Sequence, residues 1–123
     1  MAERTLPPGL DEAGFDRAIN ALRQTLGEGK VFATELDRNT YIDPYALGDG
    51  LDHAASAAVA PESVEEVQAI VRVANEHRLP LWPVARGKNL GYGAAAPVLA
   101  GSAVLDMTRM NKILAVDERF AYA

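Results

Sequence analysis

The chain has 123 residues, 49% of them hydrophobic, and a formal net charge of −5 from 12 basic and 17 acidic side chains. A chain of this length buries one core, so it forms one domain at most. The acidic balance argues against nucleic acid as a partner. The absence of cysteine excludes disulfide scaffolds and thiolate sites. The two histidines, His53 and His77, have no matching carboxylate spacing, so no metal site is predicted.

The N-terminal segment shows no targeting signal. Residues 1–8 lack the apolar stretch of a signal peptide, and no part of the sequence approaches the roughly 20 apolar residues of a membrane-spanning helix. We therefore predict a cytoplasmic protein without a membrane partner.

Residues 1–53 are predicted to form a helical and looped lead-in. An amphipathic helix is predicted over 11–26, with Asp11 as its N-terminal cap, because apolar residues recur every three or four positions. A short strand is expected at 31–33. The stretch 43–52, rich in Gly and Pro, is typical of a surface loop.

The next segment reads as strand, helix and strand. A run of small apolar residues at 54–60 predicts a strand covered on both faces. Ser63, followed three positions later by Glu66, is typical of a capping box at the start of a helix, which Pro80 ends. The apolar run 81–85 predicts a second strand. Together these elements predict a βαβ unit with parallel strands and a right-handed crossover.

The last part of the sequence predicts further β-structure. A third strand is expected at 102–106. Asp106 is expected to cap the turn that follows it, and the alternative is that it approaches a bound cofactor. Two apolar runs, 113–117 and 120–123, predict a C-terminal β-hairpin whose second arm ends with the chain, as in a domain cut in mid-strand. The predicted fold class is α/β, with α+β as the alternative: short parallel strands flanked by helices.

The most distinctive segment is the glycine-rich stretch 86–97. It follows a predicted parallel strand, where α/β proteins bind ligands, and successive backbone N–H groups in such a turn form a nest for anionic oxygens. A pyrophosphate is the simplest ligand, and an ordinary connecting loop is the alternative. Two better-known phosphate motifs do not fit. The Rossmann-like spacing at 91–96 is not followed by a helix, and Asn89 stands where a P-loop requires Ser or Thr.

The sequence of this stretch and of its surroundings resembles the FAD-binding domain of the vanillyl-alcohol oxidase family. The run from Lys88 to Pro97 is specific to its phenol-oxidising branch, the group of 4-cresol dehydrogenases, eugenol hydroxylases and vanillyl-alcohol oxidases. The likeness covers nearly the whole chain, and the segments that carry it are 5–9, 43–45, 60–63, 81–97, 104–107 and 110–114.

The resemblance implies the first subdomain of a PCMH-type FAD-binding fold, with 54–123 as a partial, apparently truncated FAD-binding domain. The FAD pyrophosphate is expected in the loop after the second strand, held largely by main-chain donors. The residues implied at the cofactor are Pro61, Pro83, Val84, Ala85, Arg86, Gly87, Lys88, Asn89, Leu90, Gly91 and Gly93. The two prolines have an alternative role as strand terminators, and the two cations as solvated loop residues.

Tyr92 is the implied catalytic residue. In the enzymes that the chain resembles, the Tyr of this Gly-Tyr-Gly contacts the phenolic oxygen of the substrate and helps to hold it as phenolate. The oxyanion pushes electrons towards the para carbon, so that hydride leaves to flavin N5 and a quinone methide results. The alternative is a tyrosine packed over the turn.

The resemblance thus implies the N-terminal fragment of an FAD-dependent oxidoreductase that oxidises para-substituted phenols of the 4-cresol, eugenol or vanillyl alcohol type. The electron acceptor, dioxygen or a cytochrome, is left open, as is a homodimer for the full-length protein. The chain alone is expected to be inactive and to retain FAD weakly, because the other residues of the phenolate site lie outside it. The alternatives are a stand-alone nucleotide- or anion-binding module and a small interaction protein that pairs through a sheet edge.

Overall fold

Four short strands form the sheet in the computed structural model, which describes residues 4–48 and 50–123. The strands are β1 (Val31–Phe32), β2 (Ala57–Val59), β3 (Leu81–Val84) and β4 (Ala103–Asp106), and their spatial order is β1-β2-β4-β3. Strand β4 pairs in parallel with both β2 and β3, whereas β1 pairs antiparallel with β2. The predicted α/β class and the parallel direction of the predicted strands are confirmed.

Three helices accompany these strands: α1 (Glu12–Leu26) precedes β1, α2 (Glu35–Asn39) lies between β1 and β2, and α3 (Val64–His77) lies between β2 and β3. Single 3₁₀ turns occur at Glu28–Lys30, Leu51–His53 and Met107–Arg109. Helix α1 begins as predicted, since the Asp11 carboxylate accepts the N–H of Gly14 at 2.7 Å. No helix within the described ranges is long and apolar enough to cross a membrane.

The predicted capping box of α3 forms only in part. Ser63 Oγ accepts the N–H of Glu66 at 3.2 Å, but the Glu66 carboxylate accepts the N–H of Glu62 instead of that of Ser63. The same carboxylate pairs with Lys30, and this hydrogen bond lowers the pKa of Glu66 and raises the pKa of Lys30. A complete capping box occurs at α2, between Thr34 and Asp37.

Strand β4 separates the two strands of the predicted βαβ unit. In the sheet, Val104 of β4 stands opposite Ala58 of β2 on one side and Trp82 of β3 on the other. The burial of Ala103, Val104 and Leu105 suits a central strand. Pro83, which has no N–H to donate to a ladder, places β3 at the edge.

The core lies on one face of the sheet, under α1 and α3. Side chains alternate along each strand, so Ala57 and Val59 contribute to this core while Ala58 faces a smaller cluster on the other side. Residues 4–48 and 54–123 share this sheet and this core, because β1 and α1 come from the first segment. The main core is built from Phe15, Ala18, Ile19, Leu22, Val31, Ala33, Ala57, Val59, Ile70, Ala74, Leu79, Ala103 and Leu105.

The structure corrects the predicted C-terminal hairpin, of which only the turn forms. Asp117 and Tyr122 make one antiparallel bridge, with N–H to O distances of 2.8 and 3.2 Å. Residues 113–116 are not in a strand, and the side chains of Ile113 and Leu114 are 80% and 92% exposed. An isolated two-stranded hairpin without an apolar surface to pack against is only marginally stable. Two apolar runs were therefore not sufficient to predict this hairpin.

Candidate functional site

The carboxyl ends of β2, β4 and β3 meet at one edge of the sheet, where open α/β sheets bind ligands. A cavity of about 620 Å³ lies at the ends of β3 and β4, beside Val84 and Asp106. We call it the strand-end cavity. A smaller cavity of about 360 Å³ lies beside Ala60, after β2, and shares Tyr41 and Asp106 with the strand-end cavity.

Tyr41 and Asp106 tie the segment after α2 to the end of β4. Tyr41 Oη donates to Asp106 Oδ2 at 2.9 Å, and Asp106 Oδ1 accepts the N–H of Thr108 at 3.0 Å. The predicted capping role of Asp106 is therefore confirmed. Burial raises the pKa of Tyr41, and the hydrogen bond to Asp106 raises it further. The phenol consequently remains a protonated donor.

Substituting Tyr41→Phe is expected to lower the free energy of unfolding by about 1 kcal/mol at neutral pH, because one hydrogen bond to a carboxylate is lost. The folded pKa of Tyr41 lies above its unfolded value of about 10, so this contribution is present below pH ~10 and is lost as the pH rises through the folded pKa. Urea unfolding at neutral pH and at about pH 11 measures the gap between wild type and variant. A gap that does not narrow in alkali would contradict the assignment.

The glycine-rich loop divides into two parts by the partners of its backbone N–H groups. In its second part, the N–H groups of 90, 92, 94 and 96 donate to carbonyls of the loop itself, at 2.8 to 3.1 Å. In its first part, the N–H groups of Gly87, Lys88 and Asn89 have no acceptor among the described residues. Gly87 and Lys88 line the strand-end cavity and Asn89 follows them in the chain, so these donors are free to bind a ligand.

Asp43 is the anion bound by the second part of the loop. Its carboxylate is 4% exposed; Oδ2 accepts the N–H groups of Gly91 at 2.9 Å and Gly93 at 3.0 Å, and Oδ1 accepts that of Tyr45 at 3.0 Å. The hydrogen bond from Tyr45 lowers the pKa of Asp43 most, and those from Gly91 and Gly93 lower it further. The predicted nest for anionic oxygens is thus present, and an internal carboxylate fills it at these two glycines.

Sequence reasoning missed Asp43. It lies in the stretch predicted as a surface loop, and its partners are 48 and 50 residues away. The local signal, an Asp before Pro, indicates a turn in which the Asp oxygen binds an N–H two residues on, which is the bond to Tyr45. No local pattern identifies the distant glycines.

Tyr92 lies at a second cavity of about 510 Å³, which we call the glycine-loop cavity. Its side chain is 85% exposed, so the alternative of a ring packed over the turn does not describe the structure. Leu47, Asp52 and His53 line the same cavity, and His53 Nδ1 lies 3.1 Å from the Pro97 carbonyl oxygen. The glycine-loop cavity and the strand-end cavity have no lining residue in common among the described residues.

The predicted cofactor residues are distributed over several positions. Those that line the strand-end cavity are Val84, Arg86, Gly87, Lys88 and Leu90. Those at the glycine-loop cavity are Gly91 and Gly93. The remaining four lie at neither: Pro61, fully buried after β2; Pro83, exposed within β3; Ala85, whose carbonyl accepts from Thr108 Oγ1 at 2.9 Å; and Asn89, whose carbonyl accepts within the loop.

Arg86 and Lys88 supply positive charge at the strand-end cavity. Both side chains are exposed, and neither forms an ion pair with another described residue. Two unpaired cations beside three free N–H groups form a donor set for a ligand with more than one anionic oxygen. Within the described ranges, no three His, Asp or Glu side chains come together as a metal site would require.

Comparison with known proteins identifies the family of this chain. The family model of an FAD binding domain matches residues 55–123. The chain is 38% identical over 118 residues to the 4-cresol dehydrogenase [hydroxylating] flavoprotein subunit of Pseudomonas putida, across 96% of this chain and 23% of that protein. It is 37% identical over 100 residues to the D-2-hydroxyglutarate dehydrogenase of Stutzerimonas stutzeri, across 81% of this chain and 21% of that protein.

A solved structure gives the same result. The 4-ethylphenol oxidase from Gulosibacter chungangensis, in complex with isoeugenol, superimposes with a TM-score of 0.88 at 38% identity, covering 94% of this chain and 22% of that chain. The chain therefore belongs to the FAD binding domain family, in its PCMH type, and FAD is the cofactor of this domain. It spans less than a quarter of the length of the relatives described.

The residues present fit this cofactor. FAD carries a diphosphate, whose oxygens require N–H donors and positive charge, and the strand-end cavity offers both at 86–88. The φ angle of Gly87 is +63°, and a Cβ there would lie 2.6 Å from the Cβ of Ala95. Glycine is thus required for the turn that presents these donors.

Proposed function

We propose that this chain is the N-terminal part of an FAD-dependent oxidoreductase that oxidises para-substituted phenols. The observation that carries the proposal is the division of the glycine-rich loop. Free N–H groups and two cations lie at the strand-end cavity, and a phenol hydroxyl without a protein partner among the described residues lies at the separate glycine-loop cavity. One loop thus serves both a cofactor and a substrate.

In this proposal the first part of the loop holds the cofactor. The N–H groups of Gly87, Lys88 and Asn89 donate to the FAD diphosphate, and the side chains of Arg86 and Lys88 neutralise its charge. The carboxyl ends of β3 and β4 fix the position of this segment relative to the sheet. FAD, when bound, supplies the acceptor for the hydride that leaves the substrate.

Tyr92 binds the substrate. Its hydroxyl donates to the phenolic oxygen of the substrate and stabilises the negative charge that develops there as the phenol loses its proton. In a para-substituted phenol, the carbon attached to the ring at the para position is conjugated with this oxygen. Tyr92 therefore stabilises the charge, and hydride leaves from that attached carbon.

The relatives support phenols over other substrates. Two proteins that are 38% identical to this chain carry names of 4-alkylphenol enzymes, a 4-cresol dehydrogenase and a 4-ethylphenol oxidase. The D-2-hydroxyglutarate dehydrogenase is similar over a smaller share of the chain. One fold hosts many activities, so the substrate class depends on the residues of the site. The Tyr92 hydroxyl, which has no partner among the described residues, can donate to a phenolic oxygen.

The protein that contains this chain, purified with its flavin, is expected to lose visible flavin absorbance when 4-cresol or 4-ethylphenol is added without oxygen. D-2-hydroxyglutarate is expected to leave the spectrum unchanged. Subsequent addition of air or of a cytochrome distinguishes the two proposed electron acceptors. If D-2-hydroxyglutarate lowers the flavin absorbance and neither phenol does, the substrate class is 2-hydroxy acids and the proposal of phenols is wrong.

A further inference from the structure

We infer that Asp43 is a positioning residue for Tyr92: it holds the turn from Gly91 to Gly93 so that the Tyr92 hydroxyl lies at the glycine-loop cavity. This inference rests on the proposed function, in which Tyr92 contacts the substrate. Asp43 does not touch the substrate in this scheme. It acts through the backbone on both sides of the tyrosine.

The hydrogen bonds of Asp43 bracket Tyr92. Gly91, before the tyrosine, donates to both carboxylate oxygens at 2.9 and 3.1 Å, and Gly93, after it, donates to Oδ2 at 3.0 Å. The residue before Tyr92 and the residue after it are therefore both held by the same side chain. Charge-assisted bonds of this kind are stronger than those between neutral groups.

Packing does not hold this turn. The Tyr92 ring is 85% exposed, a Cβ on Gly91 would meet only Tyr45 Cβ at 3.9 Å, and a Cβ on Gly93 would meet nothing within 4 Å. Glycine is present at these positions because φ is +79° and +107°, not because space is short. The turn is held instead by the bonds to Asp43, by the bond from Asn89 Nδ2 to the Tyr92 carbonyl at 3.4 Å and by backbone bonds within the loop.

Asp43 also joins this turn to the wall of the glycine-loop cavity. Its Oδ1 accepts the N–H of Tyr45, and the following residues Ala46 and Leu47 line that cavity together with Tyr92. The same carboxylate thus sets the distance between the tyrosine and the opposite wall. Both of its oxygens are occupied and the side chain is buried, so it is not available as an acid or a base in the reaction.

An amide in place of the carboxylate tests this arrangement. Asn at position 43 has one acceptor oxygen, and its NH₂ group would face an N–H donor on the other side. Asp43→Asn therefore keeps the bond to Tyr45 or the bond to Gly93, but not both, whereas Gly91 can donate in either orientation. Among the described residues, the other carboxylate at this cavity is Asp52, which has no hydrogen bond to the glycines.

In nitrogen–proton NMR spectra of the 123-residue chain, the Gly91 and Gly93 amide signals are expected to move together on acidification, as Asp43 takes up a proton. The lowered pKa of Asp43 puts this midpoint below the ordinary value of about 3.9. Asp43→Asn is expected to abolish the joint titration, and Asp52→Asn to preserve it. If the chemical shifts of the Gly91 and Gly93 amides in the wild type do not change with pH, the inference is overturned.

In the flavoprotein that contains the chain, Asp43→Asn is expected to lower kcat for 4-cresol by about 10- to 100-fold while flavin is retained, because the displaced donor is the one needed in the transition state. Asp11→Asn is the matched control, since Asn caps a helix as well as Asp does. An unchanged kcat in Asp43→Asn overturns the positioning role alone. If the wild-type protein retains flavin but oxidises no phenol, the proposed function is overturned. The positioning role of Asp43 is then overturned as well.

Discussion

Gly101→Ala is expected to lower the free energy of unfolding by about 3 kcal/mol or more, the largest loss from one added methyl group in this chain. A Cβ at this position would lie 2.2 Å from backbone atoms of Leu6 and Pro7, and φ is +83°. The backbone cannot retreat easily, because the N–H of Gly101 donates to the Ala54 carbonyl at 2.8 Å. Urea unfolding followed by circular dichroism measures the loss.

Gly9→Ala separates the two causes of this loss. Gly9 has a similar φ of +81°, but a Cβ there would meet nothing within 4 Å. This control is expected to cost about 1 kcal/mol, which is the cost of the positive φ alone. Equal losses in the two variants would show that close approach to the N-terminal segment does not matter at Gly101.

Tyr92→Phe is expected to reduce kcat for 4-cresol by about 100- to 1000-fold in the flavoprotein that contains this chain, because one donor to the developing phenolate is removed. The unfolding free energy and the flavin content are expected to stay the same. The ring is 85% exposed, and Tyr92 does not line the strand-end cavity, where the cofactor is proposed to bind.

Tyr122→Phe is the control for this experiment. Tyr122 is also an exposed tyrosine, but it belongs to the C-terminal turn and lines neither cavity. Its substitution is expected to leave kcat unchanged. A Tyr92→Phe enzyme with the turnover of wild type would remove Tyr92 from the reaction and leave the cofactor assignment intact.

The elements with strong local signals could be predicted from the sequence. The cap of α1 at Asp11 and the periodic apolar face that follows it identify the helix without reference to the rest of the chain. The apolar runs at 54–60, 81–85 and 102–106 identify the strands for the same reason, and the observed strands lie within them. Their order in the sheet is not local. The order depends on which strand can occupy the edge of the sheet. Pro83 is the residue that indicates an edge position for β3, because proline has no N–H to donate to a second neighbour.

The candidate site was predictable only in part. Glycines at 87, 91 and 93 correctly indicate a turn with positive φ, and the structure gives all three such angles. What the sequence does not show is that Asp43 takes two of the donors and leaves those of residues 87–89 free. This division depends on a contact across 48 residues, and such contacts follow from the tertiary fold rather than from any local pattern.

The edge position of β3 bears on how the sheet avoids uncontrolled growth. An exposed strand normally offers a regular series of donors and acceptors on which a foreign strand can assemble, the first step towards fibrillar aggregates. Pro83 interrupts that series in the middle of a four-residue strand, where it lies exposed opposite Leu105 of β4. The missing backbone N–H of Pro83 therefore protects the β3 edge against templated self-association.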